Sequence, residues 1–141
     1  MNEFRRPRDP QSDARRGGRS NPVIFDSSFL MAVSERPTAW FDDITEAIGK
    51  FDPVLLDCVR KELEKLAASP SSRSRLARVA LELGIAFDRA PCGAASVDDE
   101  IASAALNLGA KVATADAELA KSLMALHLGV ITLRSGRVML A

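Results

Sequence analysis

Residues 21–141 predict an α/β domain, a three-layer α/β/α sandwich with a mainly parallel central sheet. Short apolar runs alternate with stretches of helical periodicity, the pattern of successive strand–helix units. Two of the runs close on an aspartate, Asp26 and Asp116, as strands entering a ligand-binding sheet edge do. The full chain of 141 residues suits one domain with one core. Right-handed crossovers follow from the alternation.

The elements follow in order. Residues 22–26 are a buried strand, Val23-Ile24-Phe25 before Asp26. Ser27 and Ser28 are suited to cap a helix running to about Val33. A second helix covers roughly Ala39 to Ile48, and Gly49 suits its end. Pro53-Val54-Leu55-Leu56 is the second strand, after which Asp57 caps a helix to about Ala67. The break Ser69-Pro70-Ser71-Ser72 precedes another helix, which ends near Gly84. Ile85-Ala86-Phe87 reads as a short strand, and a loop with Pro91 and Gly93 follows it. Ser96 with Asp99 three residues on resembles a capping box, with Asp in place of Glu or Gln. That helix runs to Leu108 and stops at Gly109. Lys111 to Thr114 is a strand, Ala117 to His127 a helix stopped by Gly129, and Val130 to Leu133 the last core strand. Val138-Met139-Leu140 adds an edge strand across a Ser135-Gly136 turn.

Residues 1–20 differ in kind. They are rich in Arg, Gly, Pro, Asp and Ser, lack apolar periodicity, and read as a disordered tail. Arg5, Arg6, Arg8, Arg15, Arg16 and Arg19 against Glu3, Asp9 and Asp13 leave the tail at +3 in a chain of zero net charge. It is either a passive extension or an arm contacting nucleic-acid phosphates. One Trp and no Tyr argue against an RNA-stacking platform of exposed aromatics. Cys58 and Cys92 lack CxxC spacing and a nearby His, so zinc is excluded and reduced structural thiols are expected. The lone His127 reads as a surface or helix-end residue. No run approaches the ~18 apolar residues of a membrane span, and the start lacks a signal-peptide core. A cytoplasmic protein is the expectation.

Four acids carry the functional reading: Asp26, Glu62, Asp98 and Asp116. Asp26 and Asp116 close strands. On the helix after Asp57, Val59, Leu63 and Leu66 define the buried face; Glu62 flanks it and Glu64 points away. On the helix after Ser96, Ile101, Ala105 and Leu108 define the buried face. Asp98 flanks it, Asp99 lies further round, and Glu100 is nearly opposite. Any one of these acids alone reads as a helix cap or a solvated charge. Four at convergent positions repel unless a hard divalent cation neutralises them. That points to metal-assisted chemistry on a phosphate substrate.

The motifs Val23-Ile24-Phe25-Asp26-Ser27-Ser28, Arg60-Lys61-Glu62-Leu63, Val97-Asp98-Asp99-Glu100-Ile101 and Val112-Ala113-Thr114-Ala115-Asp116 together resemble the PIN-domain nucleases. The resemblance covers roughly residues 22–140 and is nearest the archaeal VapC-like and ribosome-processing branch. Ala115 departs from the Asn that many relatives carry before the last Asp. The resemblance implies an endoribonuclease, as a toxin or RNA-processing enzyme, using Mg²⁺ or Mn²⁺. Asp26, Glu62, Asp98 and Asp116 would be both catalytic and metal-binding residues, with Ser28, Asp99 and Thr114 in support. It also implies RNA as substrate, a homodimer, and an antitoxin or ribosome-processing partner, with no membrane. Arg60, Lys61, Lys65, Arg73, Arg75 and Arg78 are candidates to grip the RNA backbone, and Trp40 and Phe41 to anchor a dimer, against a reading of both aromatics as core. Two alternatives are a catalytically silent PIN-type scaffold binding RNA or protein, and a receiver-like phosphoacceptor with Asp57 closing its strand. The second lacks an acidic pair after the first strand and a late Lys. Haloacid-dehalogenase chemistry would need an Asp where Ser28 stands.

Overall fold

The computed structural model describes residues 21–36 and 38–141, and the tail lies outside the described residues. Strand β1 (Pro22–Phe25) leads to helices α1 (Ser27–Glu35) and α2 (Trp40–Ile48). Then come β2 (Asp52–Leu56), α3 (Asp57–Ala67), α4 (Ser74–Leu83) and β3 (Asp88–Ala90). The chain continues through α5 (Val97–Leu108), β4 (Lys111–Ala113), α6 (Ala117–Ala125), β5 (Val130–Arg134) and β6 (Arg137–Leu140).

The strands form one sheet in the order β3-β2-β1-β4-β5-β6. The first five are parallel, and β6 runs antiparallel to β5. The expected α/β architecture is therefore present. β1 sits at the centre because Val23, Ile24 and Phe25 have no polar face to offer water; all three are fully buried. From β1 the chain passes to β2 on one side and reaches β4 on the other. The β1/β4 boundary is thus the topological switch point, the place where open α/β sheets bind ligands beyond their carboxyl edge.

Packing is organised around Phe25. Its ring meets Phe29 and Trp40 edge-on at 5.5 Å and lies 5.1 Å from Phe87. Such pairs add about 0.5–1.5 kcal/mol beyond burial. Trp40 is partly buried and packs against this core cluster, in line with the reading of it as core. Phe41 remains 44% exposed, its ring 4.7 Å from Phe51. Helices α1, α3 and α4 pack on one another, α5 on β1 and β4, and α6 on β5.

Several local expectations are corrected. The third strand is Asp88–Ala90, and Gly84–Ala86 is a 3-10 turn with Ile85 79% exposed. An edge strand needs no apolar run, because only one side is paired and charges there discourage further pairing. Helix α6 ends at Ala125, short of the expected His127, and His127 itself takes a left-handed φ of 63°. Gly129 matters for space instead: a Cβ there would lie 2.9 Å from Lys111 Cγ. Asp57 is the first residue of α3 rather than its cap, and α1 is capped from Asp26 with no side-chain cap bond. Ser27 and Ser28 are thereby free for other partners. Ser96 does cap α5, accepting from Asp99 N–H at 3.2 Å, and Gly109 ends it at φ 65°.

The cysteines are the largest local departure. Cys58 and Cys92 are joined in a disulfide across a sequence separation of 34, with Cα atoms 5.8 Å apart, so they are not reduced thiols. Pairing of β2 with β3 makes this possible, because it brings the first turn of α3 beside the loop after β3. Among the described residues no helix is long and apolar enough to cross a membrane.

Candidate active site

Asp26 follows the central strand and is only 6% exposed. Its N–H donates to Ala113 O at 2.9 Å, which continues the β1–β4 ladder to the sheet edge. A carboxylate this deep needs donors. Thr114, fully buried at the end of β4, donates its hydroxyl to Asp26 Oδ2 at 2.9 Å, and Ser28 donates to the same oxygen. Each hydroxyl in turn accepts a backbone N–H: Ala115 on Ser28 Oγ at 3.0 Å, Asp116 on Thr114 Oγ1 at 3.0 Å. The network stitches the β1–α1 turn to the β4–α6 turn across the switch point. It uses Oδ2 alone, and among the described residues Oδ1 takes no hydrogen bond.

Asp116 is the N-cap of α6. Its Oδ1 accepts from Glu118 N–H at 2.9 Å and Leu119 N–H at 3.1 Å. Oδ2 takes no hydrogen bond among the described residues. Asp98 stands in the first turn of α5. Its carboxyl is pushed above the ordinary 3.8, first by burial, then by the charges of Asp26, Asp116 and Asp99. The fold therefore brings Asp26, Asp98, Asp116 and Asp99 into electrostatic reach of one another.

Glu62 is exposed on α3 and is not among the charges acting on Asp98. Ser27 holds it, donating to Oε1 at 2.8 Å. Glu64 instead pairs with Arg60 at 2.5 Å. Arg60 also lies 3.8 Å from Asp57, so two acids of its own helix occupy it. Asp57 itself accepts from Arg89 at 3.2 Å. Lys61, Lys65 and Arg75 are exposed, and Arg78 reaches Ala67 O at 3.4 Å. Arg73 Nη2 lies 4.0 Å from Met31 Sδ.

Sequence reasoning misses the organising roles of four residues. Ser27 was read only as a cap. Glu100 was placed away from the site, yet its carboxylate accepts from Gly93 N–H at 2.7 Å and Ala95 N–H at 3.1 Å, fixing the loop that leads to Asp98. The Cys58–Cys92 bond ties that loop to α3. Only Ser27 left a trace in sequence, as a second hydroxyl beside Asp26.

Among the described residues no three His, Cys, Asp or Glu side chains stand close enough to hold a metal ion together. The donor set nevertheless suits a hard divalent cation. It is all oxygen, two carboxylate oxygens take no hydrogen bond among the described residues, and burial together with the charges of Asp26, Asp116 and Asp99 raises the Asp98 carboxyl. A Mg²⁺-like ion keeps several waters and needs only one or two direct carboxylates, so a loose set of acids is compatible with it.

The sequence matches the model of a family described as PIN-like domain over residues 23–136. No curated protein matches it significantly. Among solved structures it is similar to one titled as the PIN domain endonuclease Utp24. Identity there is 24% over 84% of this chain and 90% of that one, with a TM-score of 0.71. A second, PAE2754 from Pyrobaculum aerophilum, is 17% identical over 75% of this chain and 86% of that one, with a TM-score of 0.49. The family match spans the central strand, the switch-point network and all four acids, and the chain belongs to the PIN-like domain family.

Proposed function

We propose that this chain is a divalent-metal-dependent endoribonuclease, with Asp26, Glu62, Asp98 and Asp116 as its catalytic and metal-holding acids. The observation that carries the reading is Asp26, buried at the switch point with Oδ2 held by Thr114 and Ser28 and with Oδ1 taking no hydrogen bond among the described residues. Family membership and the likeness to a PIN domain endonuclease support it. The fold assignment also removes the receiver-like alternative, in which Asp57 was the reactive acid.

Each residue then has a task. Asp26 and Asp116 would hold the cation through the oxygens that take no hydrogen bond among the described residues, with Asp98 within electrostatic reach of both. Thr114 and Ser28 hold Asp26 in one orientation, so the carboxylate need not reorganise during reaction. Ser27 keeps Glu62 at the α1–α3 side. Bound Mg²⁺ or Mn²⁺ supplies activation of water and neutralisation of phosphate charge. Lys61, Lys65, Arg73, Arg75 and Arg78 would meet the RNA backbone; Arg60 is the weakest of the candidates because Asp57 and Glu64 already engage it.

The absence of a ready three-acid metal group among the described residues favours one second reading, a scaffold that binds RNA without cutting. Incubating labelled RNA with Mg²⁺ or Mn²⁺, with and without chelator, separates the two. Chelator-sensitive cleavage by the wild type that is lost in Asp26→Asn supports the nuclease; binding with no cleavage supports the scaffold. We further propose a homodimer acting on RNA in the cytoplasm, with an antitoxin or a ribosome-processing factor as partner. Light scattering at micromolar concentration tests the dimer. A cytoplasmic site requires the Cys58–Cys92 bond to withstand a reducing pool.

A further inference from the structure

We propose that the Cys58–Cys92 bond is a reversible redox switch on the acidic site. Closed, it holds the acids in register for a divalent cation; opened by a dithiol reductant, it releases them. The inference rests on the nuclease reading for the activity it controls, and on the cross-link and its surroundings for its evidence.

The bond joins two segments that carry acids. Cys58 lies in the first turn of α3, one turn before Glu62. Cys92 begins the loop that leads into α5 and Asp98. The two ends are not equally anchored. Helix α3 is fixed by Val59 and Leu63, both buried in the core. The loop is exposed from Gly93 to Ser96. When the sulfurs part, the loop is therefore the side that moves. Glu100 carries that movement into the site. Its carboxylate accepts from Gly93 N–H at 2.7 Å and Ala95 N–H at 3.1 Å, so the loop and the first turn of α5 shift together. Asp98 belongs to that turn and feels the charges of Asp26, Asp116 and Asp99. Like charges drive it outward once the restraint is gone. The acids then hold a cation less well. Glu100 is in this sense a positioning residue.

The bond is also placed to open. Both cysteines are only partly buried, and Cys92 sits between exposed Pro91 and Gly93. Cys58 N–H is one of the first-turn donors that lack a helical partner, and it donates to Cys92 Sγ at 3.2 Å. The same donor stabilises Cys92 as a thiolate. Asp57 beside it does not cancel this, because Arg89 and Arg60 engage its carboxylate. A thiol stabilised as thiolate is the faster leaving group. The reductant's first thiolate therefore attacks Cys58 Sγ, forms a mixed disulfide and expels Cys92 as thiolate. Its second thiolate then attacks its own sulfur in the mixed disulfide and releases Cys58. Two electrons and two protons pass to the protein, and the reductant leaves as a disulfide. A monothiol stops at the mixed disulfide, which the adjacent Cys92 thiolate reverses intramolecularly. The bond thus withstands a monothiol pool and yields to a dithiol.

Mn²⁺ binding, followed by the electron paramagnetic resonance of the free ion, reads the switch apart from cleavage. The full chain is compared oxidised, reduced by dithiothreitol and freed of it without oxygen, treated with glutathione alone, and reoxidised. Labelled RNA is cleaved in parallel at sub-saturating Mn²⁺. Reduction should weaken Mn²⁺ binding about tenfold, an ordinary coupling between two sites. Cleavage should fall in step, reoxidation should restore both, and glutathione alone should leave both near the oxidised values. Cys58→Ser with Cys92→Ser should match the reduced form and ignore reductant. Glu100→Ala uncouples the loop from α5 and should remove the difference between oxidised and reduced forms. Circular dichroism at the assay temperature monitors the fold. A reduced protein that is unfolded there makes the bond a structural staple only and overturns the switch. Equal Mn²⁺ affinity in oxidised and reduced forms, with cleavage retained, overturns the switch and leaves the nuclease reading standing. Neither Mn²⁺ binding nor cleavage in any form sinks the nuclease reading, and the switch falls with it.

Discussion

Replacing Cys58 and Cys92 together by serine removes a cross-link that closes a 34-residue separation. In the chain-entropy account, the loss is set by the loop that the unfolded chain is then free to open. For a separation of 34 the relation gives about 12.6 cal/mol/K, or about 3.8 kcal/mol at 25 °C. In a domain of this size, that corresponds to a fall in melting temperature on the order of 10 °C. The two serines are near-isosteric, so a new cavity adds little. The assay is thermal unfolding followed by circular dichroism, on oxidised wild type, wild type with a phosphine reductant, and the double variant. Oxidised wild type should melt highest, and the other two should nearly coincide. Equal melting temperatures for all three, or free thiols titrating in the untreated protein, would refute the reasoning. The cross-link joins the helix of Glu62 to the loop before Asp98, so the same samples show whether the acids depend on it.

Asp26→Asn and Asp116→Asn should each abolish metal-dependent RNA cleavage with the fold intact, since an amide oxygen can still accept from Thr114 and Ser28 at position 26 and Asn still caps α6 at position 116; unchanged turnover rules out the assignment. Glu62→Gln should lower turnover far more than Glu64→Gln, whose acid serves Arg60, and matched rates would place the active face elsewhere on α3. Thr114→Val should cost about 1–3 kcal/mol in denaturant unfolding, because it leaves Asp26 and Asp116 N–H short of a buried partner; a neutral result would show the network to be dispensable. The Asp98 carboxyl is raised in the folded state, so folded protein holds a proton that unfolded protein has lost. Its contribution therefore falls as pH rises from the ordinary 3.8 through the raised value, then levels off. Asp98→Asn should flatten that decline in chelator, and Mg²⁺ at neutral pH should raise the melting temperature of wild type more than of the variant.

Much of the architecture is local in origin and was legible in the chain itself. The run at Val23–Phe25 is apolar on both faces, which only a buried strand tolerates, Val130–Leu133 is apolar but for Thr132, and the helices between them carry a 3.6-residue period. Asp26 follows its run directly and Asp116 comes three residues after Ala113, so their place at the sheet edge is a matter of chain order. The PIN resemblance came from the same spacing. Tertiary structure decided what depends on neighbours remote in sequence. Asp88–Ala90 becomes a strand because β2 offers an unpaired edge, not because its residues prefer one. His127 adopts a left-handed conformation to turn the chain early into β5, a strain that local preference would assign to glycine. Cys58 meets Cys92 only once β2 and β3 pair. Ser27 finds Glu62 across 35 residues, and Thr114 finds Asp26 across 88. Helical phase placed Glu62 beside the buried face, but the partner that holds it there is chosen by how α1 packs on α3. Hydrogen bonds between side chains leave no periodic signal, because each is satisfied by a single contact that exists only in the folded molecule.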